Sequence, residues 1–223
     1  MTLSLSQPLP RMFPPPNPSD WQTYAALRDN PKIAWQKIAF HQGWLWFDMG
    51  KEGPNHAAFS DFVTILFGFW AFLHPETPFQ SYGRCLLELP ETQACAPDLV
   101  LYRGDNIPKI QPGERRWIDL SAQRRPDLVG EIADTSLSLD LDEQKCLYAS
   151  LGIPEYWVID VRGQRLFLFL LTEAGCYQES EVSQTLTGLT VQQVEGALAR
   201  LEWDANTGAA NWLLGELQAI GSV

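Results

Sequence analysis

The chain has 223 residues, of which 16 are Lys or Arg and 27 are Asp or Glu, so its formal net charge is −11 at pH 7. This length is sufficient for one domain with a substantial core, and a hydrophobic content of 45% excludes a wholly disordered, collagen-like or coiled-coil chain. The acidic balance argues against binding to polyanions by bulk charge, so a nucleic-acid contact would need a local basic patch or a metal ion.

The cysteines indicate a reducing compartment. Cys85, Cys95, Cys146 and Cys176 show no CxxC spacing and have no histidine at a zinc-like interval. We therefore expect four reduced thiols in a cytoplasmic protein. No signal-peptide pattern is present, and the longest apolar run, 62–73, is shorter than the roughly 20 residues of a membrane span. We expect no membrane contact.

Composition along the chain predicts three parts. Residues 1–20 form a proline-rich N-terminal tail, because prolines crowd the stretch 8–18. Residues 21–185 form the main domain, and residues 186–223 form a C-terminal helical extension.

Short helices and strands alternate in the N-terminal half, as their apolar patterns and turn residues indicate. The predicted elements are a helix over 21–29 with Asp20 as N-cap, two strands around the turn Gln42-Gly43 within 34–49, a helix over 56–73 capped by Asn55, and strands over 82–89 and 97–102.

The C-terminal half continues this alternation. The predicted elements are a polar loop over 104–125, a strand over 126–132, a helix over 138–151 ended by Gly152, a hairpin of 156–159 and 165–171, a strand over 176–183, and helices over 191–201 and 209–217. The pattern predicts an α/β or α+β fold with a mixed central β-sheet flanked by helices.

Two predicted interior strands carry carboxylates. Asp98 begins the first, and Glu131 lies inside the second beside Ile132. Burying a carboxylate costs free energy unless the group is paired or holds a cation. Asp98 could simply be a turn residue after a proline, whereas Glu131 is harder to explain in that way.

Lys145 lies on the following predicted helix and shares a face with Leu141, Tyr148 and Gly152. One interpretation is a lysine whose stem packs on apolar surface while its ammonium reaches water. The other is chemical. Two carboxylates can hold a hard cation such as Mg²⁺, and a nearby lysine can stabilise negative charge that develops on a phosphate.

Four stretches together resemble the Uma2 family of restriction-endonuclease-like proteins, a branch of the PD-(D/E)XK nuclease superfamily. They are Pro97-Asp98-Leu99-Val100, PDLVGEI at 126–132, DEQKCLY at 142–148 and GIPEYWVID at 152–160. The resemblance covers roughly residues 30–180, and its most specific part is the run 126–160.

This resemblance implies a restriction-endonuclease-like fold and hydrolysis of phosphodiester bonds in DNA, with Mg²⁺ (or Mn²⁺) as cofactor. It assigns Asp98 and Glu131 as catalytic metal ligands. Lys145 becomes the catalytic lysine, because Ala133 occupies the usual lysine position of the superfamily. His56 matches a family histidine, and Gln42 stands where family members have a Glu before the hairpin glycine; both are candidate accessory residues.

Three classes of function stay open. The first is a metal-dependent DNA endonuclease, favoured by the presence of Asp98, Glu131 and Lys145. The second is a catalytically silent relative that serves as a DNA-binding or protein-interaction module, favoured by Gln42 and the acidic net charge. The third is a structural accessory domain whose Trp-rich surface docks to a partner. A homodimer is compatible with each of them. Basic residues in the loop 103–125 are a candidate DNA contact or a solvated loop; they are Arg103, Lys109, Arg115, Arg116, Arg124 and Arg125.

Overall fold

The structure of the chain is a computed structural model. It describes residues 17–33, 37–48, 53–111, 113 and 117–220. The strands are β1 (Asn17–Pro18), β2 (Lys37–His41), β3 (Trp44–Asp48), β4 (Phe79–Gly83), β5 (Leu86–Leu89), β6 (Gln93–Cys95), β7 (Leu99–Arg103), β8 (Trp117–Asp119), β9 (Leu128–Ala133), β10 (Glu155–Asp160), β11 (Arg165–Leu171) and β12 (Tyr177–Glu179). The helices are α1 (Trp21–Asp29), α2 (Pro54–Leu73), α3 (Leu137–Leu139), α4 (Lys145–Ser150), α5 (Val191–Leu198) and α6 (Asn206–Ile220), with a π-helical segment (Asp140–Gln144) before α4 and a 3₁₀ turn (Ala199–Glu202) after α5.

Within the described residues the strands form two sheets of six strands each. The first has the order β1-β3-β2-β6-β5-β8, and the second has the order β12-β11-β10-β9-β7-β4. Each sheet is mixed, because β5 pairs in parallel with β8 and β9 in parallel with β10, while the other pairs are antiparallel. The predicted mixed α+β fold is confirmed. The sequence did not indicate that the strands divide between two sheets.

The second sheet lies at the centre of the molecule, and both of its faces are covered. This explains why β9 and β10 are almost continuously apolar. One face packs against α2, α5 and α6 through residues that include Leu128, Trp157, Phe62, Val194 and Leu213. The other face packs against the first sheet and α4 through residues that include Val129, Tyr156, Leu87, Cys95 and Tyr148.

The outer face of the first sheet is covered by α1. Tyr24 is fully buried there against Ile38, Phe40 and Leu45. The helix begins as predicted, because the Asp20 carboxylate accepts a hydrogen bond of 2.8 Å from the Thr23 backbone nitrogen.

The long apolar helix α2 begins at Pro54 with Gly53 as N-cap, so the prediction of Asn55 as the cap is wrong. Proline suits the first helical position because it lacks an N–H and its φ is already helical. By length and mean hydropathy, 1.5 over its most apolar window, α2 would suffice to cross a bilayer. In the fold it packs residues such as Phe62 and Trp70 against the central sheet.

Two predicted segments are divided differently in the structure. The strand predicted over 82–89 is β4 and β5, which belong to different sheets and are separated by a turn at Arg84 with φ of 53°. The loop predicted over 104–125 contains β8, and β6 was not predicted from the sequence. Strands of three residues are too short to show a clear hydrophobic period.

The ends of the predicted domain also join the fold. Asn17 and Pro18 pair with β3, while residues 1–16 of the predicted tail lie outside the described residues. In the predicted C-terminal extension, α5 and α6 share one hydrophobic core with α2 and the central sheet. The extension is therefore packed as part of the domain.

Candidate active site

Asp98 and Glu131 lie side by side at the interface between the two sheets. Strand β7 pairs antiparallel with β9, with Leu99 opposite Gly130, and this register sets Asp98 beside Glu131. The Ile132 backbone nitrogen donates to Asp98 Oδ2 at 2.9 Å, and the Asp98 nitrogen donates to Glu131 Oε2 at 3.4 Å. The two acidic residues are only 2% and 1% exposed. Such burial requires a positive partner.

That partner is Lys37, the first residue of β2. Its Nζ lies 3.1 Å from Asp98 Oδ2 and 2.5 Å from Glu131 Oε2, and its side chain is 26% exposed. The packing of the first sheet on the second brings Lys37 to the acidic pair. Sequence reasoning missed this residue, because a single lysine at the edge of an apolar strand carries no distinctive pattern.

Two further side chains hold the acidic pair from other directions. His56, in the first turn of α2, places Nε2 3.2 Å from Asp98 Oδ2. Tyr148, from α4, donates its hydroxyl hydrogen to Glu131 Oε1. The structure therefore brings the predicted accessory residue His56 to the pair and adds Tyr148, whose buried hydroxyl fixes the orientation of Glu131.

A π-helical segment forms one wall of an open cleft beside the pair. The prediction of a regular α-helix over 138–151 is wrong at this segment, although Gly152 ends the helix with φ of 69° as expected. Asp140 and Gln144 are both buried on the cleft side, and Ser136 Oγ donates to Asp140 Oδ2 at 2.5 Å. The cleft is also lined by Lys37 and Trp46. Short π-helical turns occur frequently at functional sites.

The pKa values in the site are shifted in opposite directions. Burial raises the pKa of Glu131 to about 8; the charges of Asp98 and Asp140 add to this rise, and Lys37 opposes it. Burial alone would raise the pKa of Asp98, but Lys37 and the hydrogen bond with His56 hold it below its ordinary value. Burial would lower the pKa of Lys37, but Asp98 and Glu131 raise it above its ordinary value. Lys37 therefore stays charged, and two carboxylates with diverging pKa values are typical of acid–base sites.

Lys145 packs elsewhere. Its Nζ lies 3.7 Å from the centre of the Phe169 ring on β11, a cation–π contact. On β10, Tyr156 pairs with Phe169 of β11 on one side and with Val129 of β9 on the other side. Phe169 therefore lies two strands away from β9, the strand of Glu131, which is a distance of about 10 Å. The ammonium that contacts the acidic pair belongs to Lys37.

Gln42 forms the turn of the first hairpin with Gly43, both at positive φ, and its side chain is exposed. The antiparallel register pairs His41 with Trp44, which makes this a two-residue turn. Lys37 begins the same strand five residues earlier, roughly 16 Å away. The structure does not bring Gln42 to the acidic pair.

The described arginines of the basic loop bind their own chain. Arg103 contacts the Thr185 carbonyl and the Thr187 hydroxyl at 2.9 and 2.8 Å. Arg124 forms an ion pair with Asp127 at 2.9 Å, and Arg125 donates to a backbone carbonyl of α4's C-terminal turn. Arg115 and Arg116 lie outside the described residues. These contacts indicate a structural role for Arg103, Arg124 and Arg125.

A divalent cation fits the donor set of the acidic pair. Over the described ranges, no group of three or more Asp, Glu, His or Cys side chains is arranged to hold an ion. However, Asp98 Oδ2 and Glu131 Oε2 both lie within 3.1 Å of one nitrogen, so they converge on one cation position. Mg²⁺ is commonly held by one or two carboxylates together with water and substrate phosphates, whereas structural zinc needs four protein ligands. The pair therefore suits Mg²⁺ or Mn²⁺ better than structural zinc.

Comparison with known proteins identifies the family. The family model of Uma2, described as "Putative restriction endonuclease", matches residues 21–203. The chain belongs to the Uma2 family. The resemblance found in the sequence motifs is thereby confirmed. The match spans most of the residues that the structure describes.

A solved structure supports the fold of this Uma2 protein. It is a crystal structure of "a putative nuclease belonging to DUF820" from Anabaena variabilis, similar with a TM-score of 0.54 and 14% sequence identity over 88% of this chain and 99% of that chain. At this identity the similarity shows the fold alone. No curated protein sequence gives a significant match.

Proposed function

We propose that this Uma2 protein is a metal-dependent endonuclease that hydrolyses phosphodiester bonds of DNA. One observation carries the proposal: two buried carboxylates from neighbouring strands, Asp98 and Glu131, contact a single ammonium at the edge of an open cleft. Buried carboxylates that converge in this way, with perturbed pKa values, are typical of functional sites.

Asp98 and Glu131 would hold Mg²⁺ or Mn²⁺. When bound, such an ion supplies Lewis-acid polarisation of a phosphate and lowers the pKa of a water molecule. His56 orients Asp98 through the contact at 3.2 Å. Tyr148 orients Glu131 through its hydroxyl. Lys37 supplies positive charge close to the position where negative charge develops on the phosphate.

Lys37 is the lysine of the site in this proposal, because its side chain reaches both carboxylates and lines the cleft beside them. The family resemblance assigns that role to Lys145, and this assignment stays a prediction. Lys145 would have to leave the Phe169 ring to reach the pair. Comparing variants of the two lysines separates the two assignments.

DNA as substrate, a cytoplasmic location and a homodimer are further parts of the proposal. DNA is supported by the family description and by the motifs around Asp98 and Glu131. All four cysteines are free thiols, in keeping with a reducing compartment. Light scattering of the purified protein will measure its oligomeric state.

The alternative is a silent module that binds DNA or a protein without cleaving it. The position of Lys37 favours this alternative, because its ammonium already contacts both carboxylates that would hold a metal ion. An enzyme and a silent module differ in one observable property, because only the enzyme breaks phosphodiester bonds.

The test is a cleavage assay on a panel of substrates. Supercoiled plasmid, linear duplex DNA, single-stranded DNA and RNA are incubated with the purified protein in Mg²⁺, in Mn²⁺ and in EDTA. We expect cleavage of DNA that needs the ion and is lost in Asp98→Asn purified in parallel. Binding without cleavage in every condition would support the silent module. Cleavage that persists in Asp98→Asn would show a contaminating nuclease or a different site.

A further inference from the structure

The two oxygens that face each other in the acidic pair are held by the same ammonium. Lys37 Nζ contacts Asp98 Oδ2 at 3.1 Å and Glu131 Oε2 at 2.5 Å. Other donors also hold these carboxylates. His56 and the Ile132 backbone nitrogen contact Asp98 Oδ2. The Asp98 backbone nitrogen contacts Glu131 Oε2, and Tyr148 donates to the other oxygen of Glu131. Lys37 is the charged donor that these two oxygens share. The space between Asp98 Oδ2 and Glu131 Oε2 therefore contains the positive charge of Lys37.

A divalent cation that bridges these oxygens requires the same space. Mg²⁺ binds oxygen at roughly 2.0–2.1 Å and Ca²⁺ at roughly 2.3–2.6 Å. An ammonium nitrogen within 3.1 Å of both oxygens leaves no room for a second cation between them. Lys37 and a bridging ion are therefore mutually exclusive at this pair.

Lys37 is also the partner that can move. Its side chain is 26% exposed and lines the open cleft, and its ammonium is carried on a flexible four-carbon stem. Asp98, Glu131 and Tyr148 are almost fully buried on packed elements. Withdrawal of the lysine would open the cation position without changing the sheets.

We propose that Lys37 is a built-in competitor for the divalent cation: it occupies the carboxylate pair until an ion displaces it, and so sets the ion affinity of the site. The inference rests on the proposed function for the identity of the ion. If the lysine occupies the pair 90% of the time, the apparent dissociation constant of the ion is about tenfold higher than that of the open site.

The test is a titration of the metal-free full chain with Mn²⁺, without nucleic acid, by isothermal titration calorimetry. Lys37→Met removes the charge and keeps the length of the stem. We expect it to bind Mn²⁺ at least tenfold more tightly than the wild type. Lys32→Met removes the same charge from an exposed position and controls for bulk electrostatics; we expect its affinity to change less than about twofold. Equal or weaker binding in Lys37→Met would overturn the proposal.

A second measurement uses the wild type and does not depend on the folding of a variant. Lysines are acetylated with an N-hydroxysuccinimide ester, and mass spectrometry follows Lys37 relative to Lys32. We expect saturating Mg²⁺ to increase the modification of Lys37 several-fold, because the displaced amine becomes accessible. Unchanged or slower modification would contradict the proposal.

Two combinations of results distinguish competition by Lys37 from the proposed nuclease activity. Tighter Mn²⁺ binding in Lys37→Met, together with no DNA cleavage by the wild type, would retain the competition and reject the nuclease. DNA cleavage by the wild type, together with unchanged Mn²⁺ affinity in Lys37→Met, would retain the nuclease and reject the competition.

Discussion

Lys37 and Glu131 are separated by 94 positions in the sequence, yet Lys37 Nζ lies 2.5 Å from Glu131 Oε2. The contact joins β2 of one sheet to β9 in the interior of the other sheet. It explains how two adjacent carboxylates are tolerated at 2% exposure or less, because an unpaired buried charge would cost several kcal/mol. In the proposed function, a divalent cation has to displace this ion pair in order to bind the two carboxylates.

Thermal melts will show whether the acidic pair binds an ion. If the site binds Mg²⁺ near ~1 mM, then ~10 mM ion stabilises the wild type by about 1.4 kcal/mol, which is a rise of about 3–5 °C in Tm. Asp98→Asn and Glu131→Gln should each lose most of this rise, measured at fixed ionic strength. An equal rise in all three proteins would mean that the ion acts on the general acidic surface.

Tyr148→Phe tests the role of the tyrosine in holding Glu131. The substitution leaves one oxygen of a buried carboxylate without its hydroxyl donor, so we expect the free energy of unfolding to fall by roughly 1–3 kcal/mol in urea titrations. The matched control is Tyr177→Phe, which removes a hydroxyl that donates to the Ile153 carbonyl at 2.8 Å. This neutral bond should contribute about 1 kcal/mol. A smaller loss in Tyr148→Phe than in the control would contradict the role assigned to Tyr148.

The buried Asp140 predicts a pH dependence of stability. Burial raises its pKa from 3.8 to about 6, although Lys37 and the Ser136 hydroxyl oppose the rise. Because the folded state binds this proton more tightly than the unfolded chain, the associated stability is complete below pH 3.8 and is lost as the pH rises through 6. At about 1.4 kcal/mol per pKa unit, the loss is on the order of 3 kcal/mol at most.

Asp140→Asn removes this titration. We therefore expect its unfolding free energy, relative to wild type, to increase between pH 4 and pH 7 in urea titrations with EDTA. Asp142→Asn, at an exposed position on the same π-helical segment, is the control and should show no such trend. A constant difference between Asp140→Asn and wild type at both pH values would contradict the assignment.

Lys37→Ala and Lys145→Ala separate the two candidate lysines. If Lys37 stabilises charge in the transition state, its removal should lower the single-turnover rate by about 10²-fold or more. Lys145→Ala should retain most of the activity, because its ammonium packs on Phe169. The opposite result would return the catalytic role to Lys145, as the family resemblance predicts.

The sequence predicted those features that depend on local patterns. The apolar runs around Glu131 and Tyr156 identified the central strands, and the motifs that include Asp98 and Glu131 identified the family. His56 was singled out because a family histidine matches it, and the structure places it 3.2 Å from Asp98. Local hydrophobic period and motif order were sufficient for these predictions.

The rest depends on contacts between distant segments. Lys37 reaches the pair only because the first sheet packs on the second, and no pattern around residue 37 records that packing. Lys145 and Tyr148 lie on the same regular helix, yet Lys145 contacts Phe169 while Tyr148 contacts Glu131. Helical spacing alone does not give these long-range partners. Tertiary packing therefore decides which lysine contacts the acidic pair.

The initial rate of DNA cleavage by wild type, Asp98→Asn and Glu131→Gln in Mg²⁺ tests the proposed nuclease centre most directly, with folding of each protein verified by circular dichroism. We expect Mg²⁺-dependent cleavage by the wild type and a loss of at least about 10²-fold in each variant. Equal rates in the three folded proteins, or no cleavage by the wild type on any DNA substrate, would contradict the claim that the acidic pair is a nuclease centre.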